Sequence, residues 1–322
     1  MVEGKSVDFC PRIPILMQFA AKYVGKSYGE FTSNHEVLVS ANLRCADAFG
    51  LDQVSTISDP YRETSALGGD VVIDDVTGPQ CLIPPLAGEY DLRIFNQPDF
   101  LRSPRVKDRI DAVANYAARV ANKFSILGWV EGPAALACDL RGMENLFVDL
   151  MEDEEPVDDL LDNCVDVALA FARAQIDAGA DTIGIGDAAA SQMSADLYTK
   201  FILPREKRLV AGIRKMGAWT RLHICGNISH LLPGISTLGV NILDVDHLVD
   251  LSDVRGVVGN EVVLAGNLDP VRDVMQGVPD RIEALVKECY QSSGGRYAVN
   301  AGCEIPSDTP IENLNALCSR VN

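Results

Sequence analysis

His223 and Cys225 stand two places apart in "TRLHICGNISH" (residues 220–230). On a strand that spacing sends both side chains to one face. Imidazole and thiolate are both good zinc donors, and zinc takes four tetrahedral donors, fewer from the protein when the site is catalytic. Cys303 closes a later apolar run, "RYAVNAGC" (296–303), and Asp246 ends "NILDVD" (241–246), where Asp244 shares its face. His223, Cys225, Cys303 and Asp246 together make a plausible zinc set. The competing reading is plainer. A Cys near an apolar strand is commonly a small core residue, and "HxC" lacks the specificity of paired CxxC motifs.

Eight short apolar runs must position these residues: 13–19, 53–59, 124–130, 181–187, 221–226, 241–246, 262–267 and 296–303. Near-continuous apolar strands suit a parallel sheet buried on both faces. Helical patterns lie between them. Residues 156–180 begin with Pro and early acids and stop at Gly179. Residues 194–217 open on a Ser cap and close on Gly217, with a kink expected at Pro204. Residues 271–291 and 310–321 also read as helices, the last with a Thr cap and Pro first. The acidic run "MEDEEP" (151–156) reads as a solvated loop leading into a helix.

Eight such units predict a single (β/α)8 TIM barrel over 1–322, with 68–103 as a small hairpin and loop insertion after the second strand. The competitor is an open doubly wound sheet, but no "GxGxxG" follows the first strand and "GIGD" (184–187) is too short. In a barrel, function gathers at the C-terminal ends of the strands. Those ends here include Gln18, Asp59, Glu131, Asp187, Asn267 and Glu304 besides the zinc set. Asp187 reads either as a substrate or ligand-orienting group or as a cap for the helix that follows it. Asn267 divides between substrate contact and turn chemistry.

Composition narrows the partners. Hydrophobic residues make up 47% and charged residues 23%, enough for a sizeable core. A formal charge of −18, from 28 basic and 46 acidic residues, argues against nucleic acid and against an anionic membrane surface. No apolar run reaches the length of about 20 residues that a membrane span needs, and the N-terminus has no signal-peptide pattern. Nine cysteines without framework spacing read as reduced thiols in a cytoplasmic protein.

"HICGN", "GVNILDVDHLVDL", "AGNLDPV" and "NAGCEIPSDTPIENLNAL" resemble the uroporphyrinogen decarboxylase superfamily, within it the zinc methyltransferase branch that includes methylcobamide:coenzyme M methyltransferases. "RIPILMQFAAKY" and "ISDPYRETSALGGDV" echo the N-terminal family segments more weakly. The resemblance implies Zn2+ on His223, Cys225 and Cys303, with a further acidic ligand falling near Asp246. It also implies a methyl-corrinoid as methyl donor and a small-molecule thiol as acceptor. No corrinoid-binding "DxHxxG" occurs, so a corrinoid would arrive on a separate partner protein.

Two other readings stay open. A decarboxylase would be expected to carry arginines in an "MRQAGRY"-like stretch. This chain has "MQFAAKY" (17–23), with Gln18 and Lys22 at those places, although Asp59 in "SDPY" matches the decarboxylase acid. A barrel that binds a corrinoid or tetrapyrrole without turnover is the third possibility.

Overall fold

In the computed structural model, the structure describes residues 1–2, 7–96, 99–120, 122–152 and 154–321. Seven strands form one parallel sheet in the order β1-β4-β5-β6-β7-β8-β9. They are β1 (Gln53–Ser55), β4 (Ser125–Glu131), β5 (Thr182–Gly186), β6 (Trp219–His223), β7 (Ile242–Val245), β8 (Val263–Leu268) and β9 (Tyr297–Ala301). Helices connect successive strands, and the sheet curls in the manner of a TIM barrel. β4 shows why its sequence looks continuously apolar. Ile126 and Val130 pack outward into the helix shell, while Leu127 and Trp129 meet Ile15 and Ile57 on the inner face.

The run 13–19 is not a strand. Pairing there is reduced to a parallel bridge between Arg12 and Val299, and Gln18–Tyr23 is helical. Pro11 and Pro14 explain the loss, since neither has an N–H to give to a ladder. The segment still spans the two edges of the sheet. Ile13 N donates to Val299 O at 2.9 Å, and Asp52 N, just before β1, donates to Arg12 O at 3.0 Å.

Between β1 and β4 the chain makes an antiparallel hairpin, β2 (Asp70–Asp74) and β3 (Gly78–Ile83). Its turn is held by Asp74, whose Oδ1 accepts from Val76 N and Thr77 N at 2.8 Å each. Ser27 Oγ donates to Asp75 Oδ1 at 2.7 Å and ties the hairpin to the main body.

The long helix runs Glu154–Ala178 and ends at Gly179, whose φ of +119° only glycine adopts readily. The described residues of the acidic run, 151–152 and 154–156, are helical and not a loop. Met143–Glu152 and Glu154–Ala178 are both helical, and Asp153 lies outside the described residues. Ser194 caps its helix through Leu197 N, as expected. The disturbance at Pro204 appears as one wide π turn, Tyr198–Ile202, just before it, which accommodates a residue that lacks an N–H. Residues 271–291 divide into a wide-turn helix Pro270–Met275 and a helix Pro279–Ser292, separated at Gly277 and Pro279. The last helix, Ile311–Leu317, starts after an extended Pro310 and has no side-chain cap, so Thr309 does not serve as one. No helix among the described residues is long and apolar enough to cross a membrane.

Candidate metal centre

His223 ends β6, Cys225 lies two residues beyond it, and Cys303 lies two residues beyond the end of β9. The curl of the sheet brings them together. His223 Nε2 is 2.9 Å from Cys225 Sγ and 3.7 Å from Cys303 Sγ, and the two sulfurs are 3.5 Å apart. Among the described residues this is the group of three donors, all within 4.8 Å of one another, that could hold a metal ion. A tetrahedral zinc with ordinary bond lengths separates N and S by about 3.6 Å and two S atoms by about 3.8 Å. Two of the three observed separations fall close to those values, and the His223–Cys225 contact is shorter. The donor set fits zinc.

The imidazole is oriented from behind. His223 Nδ1 is 3.0 Å from Asp244 Oδ2, and Arg221 Nε reaches both oxygens of the same carboxylate at 2.9 and 3.0 Å. Arg221 is itself buried and donates to Gln53 Oε1 at 2.8 Å and to Ile13 O at 3.2 Å. With Nδ1 committed to Asp244, Nε2 is the nitrogen left for a metal. Burial pushes the Asp244 carboxyl up, but Arg221 and His223 outweigh it and hold the group below the usual carboxylate range. Sequence reasoning missed Arg221 and Gln53. The signal was present in "RLH", where Arg221 shares His223's face.

Electrostatics within the cluster are strongly coupled. The hydrogen bond from Cys225 is the largest influence on Cys303, and with His223 it overcomes burial and takes that thiol down to about 4. Cys225 moves upward in turn, chiefly through its hydrogen bond with Cys303. For His223, burial alone favours the neutral ring, but the charge on Cys225 and the bond to Asp244 raise its pKa well above the ordinary value. A cluster that holds Cys303 as a thiolate is suited to a cation.

Asp246 stands beside this group. Its Oδ2 accepts from Gly226 N at 2.9 Å and its Oδ1 from Leu248 N at 3.0 Å, and His247 Nδ1 is 3.0 Å away. The chain approaches closely here. A Cβ on Gly302 would sit 2.6 Å from His247 N, so glycine lets the Cys303 segment lie directly against the Asp246 loop. Asn267 supports that loop from the other side, donating to Val249 O at 2.6 Å and Asp246 O at 3.3 Å. Glu304 follows Cys303, accepts from Gln18 N at 2.8 Å, and is pushed up to about 7 by burial.

Trp129 forms another wall, its ring centroid 6.2 Å from that of His223. The glycines of "GIG" make its seat. A Cβ on Gly184 or Gly186 would fall 2.1 or 2.9 Å from the indole. Trp129 Nε1 donates to Glu131 Oε1 at 3.2 Å, and Glu131 receives Arg62 Nη2 at 2.8 Å. From there a buried ionic cluster extends to Asp59. Its Oδ2 accepts from Arg105 Nη2 and from Ser58 Oγ, both at 2.7 Å, and its Oδ1 accepts from Tyr61 N at 3.0 Å. Burial raises the Asp59 pKa, but Arg105 and Arg62 together hold it low. The sequence showed Asp59 and Glu131 but not their arginine partners.

Asp187 is placed differently from the rest. It is fully buried, and its Oδ1 accepts from Ala135 N at 2.6 Å, so it caps Pro133–Arg141, the helix of the preceding unit and not the one that follows. His230 Nε2 is 2.8 Å from Met193 O, in keeping with a structural part.

Known proteins are similar to this chain in sequence and fold. The family model described as Uroporphyrinogen decarboxylase (URO-D) matches residues 1–322. A methylcobamide:CoM methyltransferase (MtbA) of Methanosarcina mazei is 35% identical over 219 residues, 67% of this chain and 63% of the relative's own length. A methylcobamide:CoM methyltransferase (MtaA) of Methanosarcina barkeri is 27% identical over 98% of this chain and 94% of the relative. A uroporphyrinogen decarboxylase of Trichodesmium erythraeum is 28% identical over 89% of this chain and 82% of that protein. Among solved structures, a methyltransferase from Methanosarcina mazei superposes with a TM-score of 0.91 at 25% identity, covering 98% of this chain and 94% of the other. The curled parallel sheet, the clustered His and Cys donors and a family match over the full length lead to one conclusion: this chain belongs to the uroporphyrinogen decarboxylase family.

Proposed function

We propose that the protein is a methyltransferase that moves a methyl group between a methyl-corrinoid, carried on a separate protein, and a small-molecule thiol. The observation that carries this reading is the convergence of His223 Nε2 with the sulfurs of Cys225 and Cys303, backed by Asp244. The names of the MtbA and MtaA relatives support the corrinoid and the thiol.

His223, Cys225 and Cys303 would hold Zn2+, and Asp246, whose carboxylate lies against Gly226 N, is the candidate for a fourth position when no thiol is present. Zinc supplies one piece of chemistry there, lowering a substrate thiol's pKa so that it binds as the nucleophilic thiolate at neutral pH. The chain's own residues supply the rest. Asp244 fixes the imidazole tautomer, Arg221 keeps Asp244 ionised, and Trp129 closes one side against water. Two cysteinates and a neutral imidazole bring two negative charges and so balance a divalent cation, which leaves a bound thiolate electron-rich. Gln18, Asp59 and Asn267 are proposed to act around the substrate, Asn267 through the loop it pins. Asp187, capped into the wall, is proposed to act on substrate only through the position of the His223 strand, whose carbonyl accepts from Asp187 N at 2.9 Å.

We read residues 1–322 as one barrel domain with 68–103 inserted, and nine free cysteines support a reducing cytoplasm. Decarboxylation is disfavoured. Gln18 and Lys22 replace the expected arginines, and Asp59 is already neutralised by Arg105.

The test is metal content by mass spectrometry on wild type and on Cys303→Ser, followed by transfer from free methylcobalamin to coenzyme M. About one zinc per wild-type chain, lost in the variant, with methyl transfer only in the wild type, is the expected result. A folded wild type that takes up no zinc under reducing conditions would sink the mechanism.

A further inference from the structure

Asn300 is fully buried in β9, and neither its Nδ2 nor its Oδ1 has a hydrogen-bond partner among the described residues. Alternation along the strand sets its direction. Tyr297, Val299 and Ala301 belong to the cluster formed with the helix shell. Ala298 packs with Ile13, Ile242, Val263 and Ala265 inside the curl of the sheet. Asn300 shares the face of Ala298, two residues nearer the end of the strand from which Cys303 follows. Its register partner across the ladder is Asn267, whose amide is engaged at both ends, by the Asp246 loop and the Cys289 thiol. One asparagine of the pair is engaged and the other is idle.

A buried amide with both ends unpaired is a standing cost to the fold, and an apolar side chain of similar volume would remove it. Asp244, also buried near the cluster, is by contrast paired with Arg221 and His223. A ligand that completes the amide accounts for its presence. We infer that Asn300 is a specificity-determining residue whose amide hydrogen-bonds the small-molecule thiol held at the His223, Cys225 and Cys303 cluster. The inference rests on the methyltransferase reading. An amide offers a donor and an acceptor together, which matches a short polar thiol and penalises an apolar one.

The test uses zinc-loaded protein and coenzyme M as the probe, with affinity measured by calorimetry so that no methyl donor is needed. Asn300→Leu and Asn300→Ala are compared with wild type. Coenzyme M binding is expected to weaken about tenfold or more in both, with zinc content unchanged and the Tm of Asn300→Leu equal to or above that of wild type. Unchanged coenzyme M affinity in the variants would overturn the assignment. So would a lowered Tm with zinc loss in both variants, because that marks a structural amide. Asn300→Ala adds no bulk and reads the same affinity if leucine is not accommodated. A wild type that holds zinc but binds no coenzyme M removes the thiol reading itself. That result is distinct from binding that ignores residue 300.

Discussion

Asp244 and His223 form a 3.0 Å contact between a buried carboxylate and the ring nitrogen facing away from the sulfurs. Loss of such a partner weakens metal binding by about 10–100-fold while leaving the donors themselves in place. Asp244→Asn should therefore lower zinc affinity by about that factor, measured by competition with a chromophoric chelator. An unchanged affinity would mean that packing alone orients the ring.

The seat of Trp129 gives a second expectation. Gly184→Ala places a methyl group where the indole already lies. Overpacking of this kind costs about 1–3 kcal/mol. The variant should show a lowered midpoint in urea and a shifted tryptophan emission, and Gly256→Ala, which meets nothing within 4 Å, should show neither.

The Asp59–Arg105 pair leads to a third. Both side chains are largely buried, at 3% and 11% exposure. Removing one partner leaves an uncompensated buried charge, worth about 3–5 kcal/mol. Arg105→Leu should destabilise the fold by roughly that amount, and adding Asp59→Leu should restore much of it. A double variant no better than the single would show that the pair contributes little beyond packing.

Two buried carboxyls set a pH dependence. Burial raises Asp187 to about 7, and Glu206, buried beside it and hydrogen-bonded by Tyr198, is raised well above the usual range by burial and by the charge of Asp187. Both pKa values are higher folded than unfolded. Between the ordinary carboxylate value and about 7 the folded chain holds protons that the unfolded chain releases. Stability should therefore fall as pH rises through that window and beyond it. Thermal melts from mildly acidic to mildly alkaline buffer should show the decline, and Glu206→Gln should flatten it. A Tm that rises over the same range would contradict the assignment.

Most of the sheet was legible because a strand buried on both faces leaves an unbroken apolar run, as in "SILGWVE" and "TIGIG". The first strand was misread because prolines 11 and 14 remove ladder donors without lowering hydropathy. The donors His223, Cys225 and Cys303 could be singled out by type and by place at strand ends. Their support could not. Arg221, Arg62 and Arg105 are buried charges, and a sequence shows a charge without showing the partner that permits its burial. Asp187 was readable as a cap, but the helix it caps lies earlier in the chain, a relationship fixed only by the curl of the sheet.

Cys225 and Cys303 are 78 residues apart in sequence, yet their sulfurs are in contact. Any ion bonded to both closes that whole span into a loop. On the chain-entropy treatment used for covalent cross-links, such closure removes about 4.5 kcal/mol of freedom from the unfolded chain. With such an ion, the His223, Cys225 and Cys303 cluster would be a clasp joining the end of the sixth strand to the segment after the last one. Chelation of such an ion should lower the protein's equilibrium stability and make it easier for a protease to cut.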